Sequence, residues 1–187
     1  GAVELDALTL VQSYGDLHVT AGGAVTQKSG TALVVGGLAT ISAAGQNVTL
    51  NGTSNNFQDE VRITGADVEI TDVNSIELGK STVTGNYIVT ALAGTVTQAQ
   101  LTTEPLTING TSKTIHITGD DIMLNNASNN FVSAVKITTS GSDVELADVG
   151  DIILGASTVS GYYKVTAGGT VTQSGVLDIG GVTTIDA

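Results

Sequence analysis

The chain of 187 residues carries six basic against eighteen acidic residues, a net charge of −12, and repulsion from phosphate argues against nucleic acid or an anionic membrane surface as a partner. It has no cysteine, which excludes a disulfide framework and a thiolate metal site, and no run approaches the ~18 apolar residues of a membrane span. Val, Ile, Leu and Ala supply nearly all of the 41% apolar content, aromatics only 3%, and Pro105 is the single proline; with 24 glycines as punctuation, this composition favours short strands over helices or disorder.

In chain order, the first marker is Ala24-Val25-Thr26-Gln27, which returns as Thr95-Val96-Thr97-Gln98 and Thr170-Val171-Thr172-Gln173, about 71 and 75 residues on. Val48/Leu50 alternate before the Asn51-Gly52 turn, and Asn55-Asn56-Phe57 comes back as Asn129-Asn130-Phe131. Val61/Ile63, Val68/Ile70 and Ile76/Leu78 follow, then Ile115/Ile117, Ile122/Leu124, Val135/Ile137 and Val144/Leu146. Period-two alternation over three to five residues predicts strands with one buried face. The turns between them are Asn-Gly, Gly-Asp, Ala-Gly and Ser-Gly.

Asp67-Val68-Glu69-Ile70 repeats as Asp143-Val144-Glu145-Leu146, and the segment from Leu78 to Gly85 repeats from Leu154 to Gly161. Residues 1–27 align without gaps on 147–173, and Gly180 to Ile185 match Gly36 to Ile41. The chain is therefore expected to be one solenoid fragment of a longer repeat protein, beginning and stopping inside a module. The modules run approximately 1–73, 74–149 and 150–187.

A shorter step lies within the module. Val48, Val68 and Ile88 stand about 20 apart, as do Ile76, Val96, Ile115 and Val135, and Met123, Glu145 and Lys164. Turns of about 20 residues, four to a module, are the simplest reading, with three turns of about 25 as the alternative. An antiparallel sandwich has no reason to keep residue identities at matched positions through successive copies, whereas stacked coils form ladders of like side chains. The expected fold is an all-β, right-handed parallel β-helix.

The run from Ile122 to Phe131, with Asp143-Val144-Glu145-Leu146, the Leu154 to Gly161 segment and Val165 to Gln173, resembles the β-strand repeats of filamentous-haemagglutinin-like exoproteins exported by two-partner secretion. The resemblance implies a bacterial surface or secreted location and a shaft whose binding regions lie elsewhere in the parent. It implies partners through that parent: host or matrix glycans, or surface proteins.

Candidate chemistry is sparse. Asp67, Glu69, Asp72 and their copies Asp143, Glu145 and Asp148 offer oxygen ligands of the kind Ca²⁺ takes, but the copies are several turns apart and read as a solvated acidic face. Arg62 is the only arginine, His18 and His116 are single and read as surface residues, and no Ser/His/Asp group or phosphate loop occurs. No catalytic residue, metal site or cofactor is expected. Tyr162-Tyr163, with Tyr87 as the equivalent in the preceding module, is the one candidate ligand-binding element, a small platform for stacking on carbohydrate; one tyrosine of the pair is expected to pack inward. Phe57 and Phe131 are expected to plug the core at a corner. Membrane insertion is not expected, and end-to-end self-association of the chain is.

Overall fold

The computed structural model describes residues 1–10, 15–99, 103–139, 141 and 143–187. Their backbone winds into a parallel β-solenoid built from 26 strands of two to five residues. Strands one coil apart pair side by side, giving sheets of eleven, twelve and three strands, and nine rungs can be followed up the first of them. Parallel pairing buries both a sheet's inner face and its neighbours' backbone groups, so the alternating sequence runs translate directly into inward apolar columns.

One column of the first sheet runs Leu50, Ile70, Val89, Ile117, Ile137. A column of the second runs Ile76, Val96, Ile122, Val144, Tyr163. Every member of both columns is buried, and they belong to one continuous core that takes in Val3 near one end and Ile179 near the other. Phe57 and Phe131 sit in that core, as the sequence predicts. On the outer face of the first sheet, Thr71, Thr90, Thr118, Thr138 and Thr158 stack in an unbroken ladder.

The coil is less even than the sequence spacing suggests. The step from one rung to the next is short from Val61 to Leu78 and long from Tyr87 to Ile115. Val68 stands under Tyr87, not Ile88, and Val96 stands under Ile122, not Ile115. The chain between Tyr87 and Ile115 carries Pro105, whose carbonyl accepts the Ser81 amide and so stays attached to the rung below.

Neither four nor three turns make up a module. Val25–Gln27 lies in the first sheet, its copy Val96–Gln98 in the second, and the next copy Val171–Gln173 in the first again. Val68–Asp72 and Val144–Asp148 exchange sheets in the same way, as do Tyr87–Ala91 and Tyr163–Ala167. The first sheet climbs seven rungs between Val25 and Val171, which are two modules apart, so a module averages three and a half turns. Equivalent residues therefore lie on different sheets, and so on different sides of the rod, in successive modules. The gapless match of residues 1–27 to 147–173 spans two modules and restores the same side.

Candidate functional site

The acidic residues fall into two groups that the sequence does not separate. Asp67 Oδ1 accepts the Asn86 backbone N–H of the next rung at 2.8 Å, and Asp143 Oδ1 accepts that of Tyr162 at 3.0 Å. Asp16 does the same for Leu38, Asp121 for Asp143 and Asp151 for Thr170. Each carboxylate thus closes a corner, where the chain leaves the sheet and ladder bonds stop. The residue above must be small: a Cβ on Gly85 would fall well inside van der Waals contact of Asp67 Oδ1.

Asp72 and Asp148 correct the reading of a solvated acidic face. They are 0% and 3% exposed. Residues 68, 70 and 72 share one phase of an uninterrupted strand, so the side that buries Val68 and Ile70 buries Asp72 too. Asp72 accepts the N–H groups of Phe57 at 2.7 Å and Asn74 at 2.8 Å; Asp148 accepts those of Phe131 at 2.6 Å and Gly150 at 2.7 Å. Desolvation outweighs these bonds and pushes both carboxyls above the ordinary aspartate value.

Of the three tyrosines picked out from the sequence, Tyr87 and Tyr163 are wholly buried and cannot stack on a ligand. Ser81 and Ser157 approach their hydroxyls, yet neither phenol oxygen has a hydrogen-bond partner, and each serine donates to the glycine carbonyl two residues before it. Tyr162 alone stays partly exposed, and its hydroxyl donates to Glu145 Oε1 at 3.2 Å. Asn125 Nδ2 donates to Glu145 Oε2 at 2.9 Å. The Asn125 bond, the Tyr162 bond and the nearby Lys164 charge hold the Glu145 carboxyl below the usual glutamate value, against the opposing effect of burial.

Asn125 and Glu145 line a groove of about 200 Å³ on the outer face of the second sheet together with Ala127, Ala147, Lys164 and Thr166, and Tyr162 adjoins it through its bond to Glu145. The sequence does not single out Asn125 or Lys164 as site residues. The available signal is departure from the repeat: where this stretch has Tyr162 and Lys164, the preceding module has Asn86 and Ile88.

The other candidates stand apart from it. Arg62 Nε meets Glu60 Oε1 at 2.6 Å and Arg62 Nη2 meets Glu104 Oε1 at 3.3 Å. Because Glu104 Oε2 also accepts the Lys80 amide, the arginine pins the long turn that carries Pro105. His18 is exposed; His116 is half-buried against Thr138, and burial followed by the Lys136 charge lowers its basicity. Among the described residues no group of three or more His, Asp or Glu is arranged to hold a metal ion, and no helix is long and apolar enough to cross a membrane.

Compared with known families, the chain matches a model described as repeats of unknown function (DUF5649) in three segments, residues 1–64, 65–138 and 141–187. The starts of the second and third segments, at positions 65 and 141, are offset by the same step that separates Asp67 from Asp143. No curated protein and no solved structure matches the chain.

Proposed function

This chain belongs to the DUF5649 family of repeats, and on that premise we propose that it is shaft material: a stiff β-solenoid segment of a large bacterial surface-exposed or secreted adhesin-like protein. The observation that carries the reading is the single apolar core, continuous from Val3 to Ile179 and backed by ladder pairing at each rung. A stack in which every turn rests on its neighbours resists bending, and its length scales with the number of modules. Rungs about 4.8 Å apart make the nine described here a rod on the order of 40 Å long. The likeness to filamentous-haemagglutinin repeats supports export by two-partner secretion, and the right-handed crossover rule for parallel strands supports a right-handed coil.

The function in this reading is mechanical. The rod spaces or projects binding regions held elsewhere in the parent, and its own residues catalyse nothing. A net charge of −12 keeps such rods soluble and off anionic surfaces. Antibody raised against the chain and used on fractionated bacteria and medium tests the proposal. A very large band at the cell surface or shed into the medium is the expected result; a small protein confined to the cytoplasm overturns it.

A further inference from the structure

We propose that the groove beside Tyr162 is a binding site for a neutral sugar, carried on the flank of the rod and independent of its role as a spacer. The first argument is module specificity. Repeats constrain core positions by stacking, so an outward position that changes chemistry between copies is free of that constraint. The preceding module keeps the acid, as Glu69, and an asparagine, Asn51, but has Asn86 for Tyr162, Ile88 for Lys164, Thr71 for Ala147 and Thr53 for Ala127. The two changes to alanine remove bulk from the groove wall, and the other two add a cation to the lining and an aromatic ring bonded to Glu145.

The second argument is preorganisation. Glu145 is held from both sides, by Asn125 at 2.9 Å and Tyr162 at 3.2 Å, so its carboxylate is fixed before any ligand arrives. Each oxygen keeps a further lone pair for a ligand hydroxyl. Lys164 sits on the next rung in register with Glu145 and makes no salt bridge among the described residues, leaving ammonium donors for a neighbouring hydroxyl. An acceptor and a donor side by side match the vicinal hydroxyls of a pyranose, and the partly exposed Tyr162 next to Glu145 carries an apolar ring of the kind sugar C–H groups pack on.

Charge selects among ligands. An anion would meet Glu145, with Asp121 and Asp143 near Tyr162, while a cation would meet Lys164; a neutral polyol satisfies both signs. At about 200 Å³ the groove falls below the ~300 Å³ at which pockets for drug-sized ligands begin, so it suits one sugar ring, not a buried oligosaccharide.

The test is a backbone-amide NMR titration of the whole chain with methyl glycosides of glucose, galactose, mannose and N-acetylglucosamine. Saturable shifts confined to the Asn125, Glu145 and Lys164 rungs for at least one glycoside, at millimolar Kd, are expected. Two variants take the residues the chain already uses at the equivalent positions, Tyr162→Asn and Lys164→Ile, so the fold has a precedent for both; each should weaken binding at least tenfold with an otherwise unchanged spectrum. Absence of saturable shifts with all four glycosides, or binding that survives both substitutions, overturns the proposal.

Discussion

The side chains of Gln98 and Asn129, 31 residues apart in the chain, form a closed amide pair: Gln98 Nε2 donates to Asn129 Oδ1 at 2.7 Å, and Asn129 Nδ2 donates back to Gln98 Oε1 at 2.9 Å. Both are buried. Asn129 Oδ1 also accepts the Leu106 amide, Asn129 Nδ2 reaches the Leu124 carbonyl, and Gln98 Nε2 reaches the Glu104 carbonyl. Gln27 and Asn55 repeat the arrangement on the preceding module, with Leu33 and Leu50 as the backbone partners. A polar network that is fully satisfied costs little to bury and fixes which turn lies on which.

Removing one member should therefore cost more than its own bonds. Asn129→Ala strands the Leu106 N–H and takes a donor from the Leu124 carbonyl, while Gln98 keeps its bond to the Glu104 carbonyl. At about 1–3 kcal/mol for each group that loses its partner, a loss of at least ~2 kcal/mol is expected. Urea unfolding measures it, and hydrogen exchange at Leu106 should accelerate locally. A change below ~1 kcal/mol would show that water replaces the amide.

Inward and outward neighbours on one strand should respond oppositely. Val68→Asp and Val144→Asp bury an unpaired charge in the continuous core, at a cost on the order of 4 kcal/mol. Glu69→Ala removes a side chain with no hydrogen bond or ion pair among the described residues and should shift stability by less than ~0.5 kcal/mol. Equal melting temperatures for the three variants would contradict the stacked-coil packing.

Two buried carboxyls should favour the fold in mild acid. Asp72 and Asp148 carry carboxyls raised above the ordinary value of 3.8 by burial. The folded chain therefore binds their protons more tightly than the unfolded chain, and stability falls as pH climbs from about 4 through the folded pKa values. Glu145 works the other way, since its lowered pKa contributes stability that is lost only once pH drops below the ordinary glutamate range. His116 opposes them over the same range, because its lowered basicity makes protonation near the ordinary value of 6.5 destabilising. In a His116→Gln background urea midpoints at pH 5 should exceed those at pH 7, and carboxyl carbon shifts should show Asp72 and Asp148 titrating above 3.8. A midpoint that falls from pH 7 to pH 5 in that background would refute the assignment.

Alkali probes the tyrosines. Burial pushes the phenols of Tyr87 and Tyr163 far above the ordinary value of 10.0, so neither should ionise while the chain is folded. The unfolded chain loses those protons near pH 10, and stability declines above that point. Ultraviolet absorbance of tyrosinate should rise for these two only together with loss of the strand signal in circular dichroism.

Much of this was legible because the alternation is strict. Strand phase places Val68, Ile76 and Val144 inward without any structure, and the recurring Asn-Asn-Phe marks the corners where Phe57 and Phe131 enter the core. Two things were hidden for physical reasons. Identity along a sequence reports the period of a repeat and not its rotation about the rod, so a module of half-integral turns reads like one of whole turns. The Asp72 and Asp148 phase was present in the pattern, but an acid is assigned to solvent by default, and the amides that meet them, of Phe57 and Asn74 and of Phe131 and Gly150, explain the exception. The groove was half legible: Tyr162 stood out by composition, while Glu145 is brought beside Tyr162 and Lys164 only by ladder register between rungs.

The half-turn offset makes a prediction of its own. Glu69 and Glu145 are repeat equivalents and both point outward, yet they lie on the first and second sheets. Whole-turn modules would put them one above the other, about 14 Å apart for three turns or about 19 Å for four. Their different sheets put them on different flanks, so a lateral separation across the rod adds to the axial rise and outward-pointing labels lengthen the span further. His18 and Lys164 both lie on the second sheet, seven rungs apart, at roughly 34 Å. Because the chain has no cysteine, each pair can be replaced by cysteines and spin-labelled cleanly. Electron–electron distance measurements should then give a Glu69–Glu145 separation well beyond either whole-turn value, against a His18–Lys164 separation near the axial one. A Glu69–Glu145 distance matching three or four stacked rungs would restore whole-turn modules, and with them a rod whose copies all display the same face.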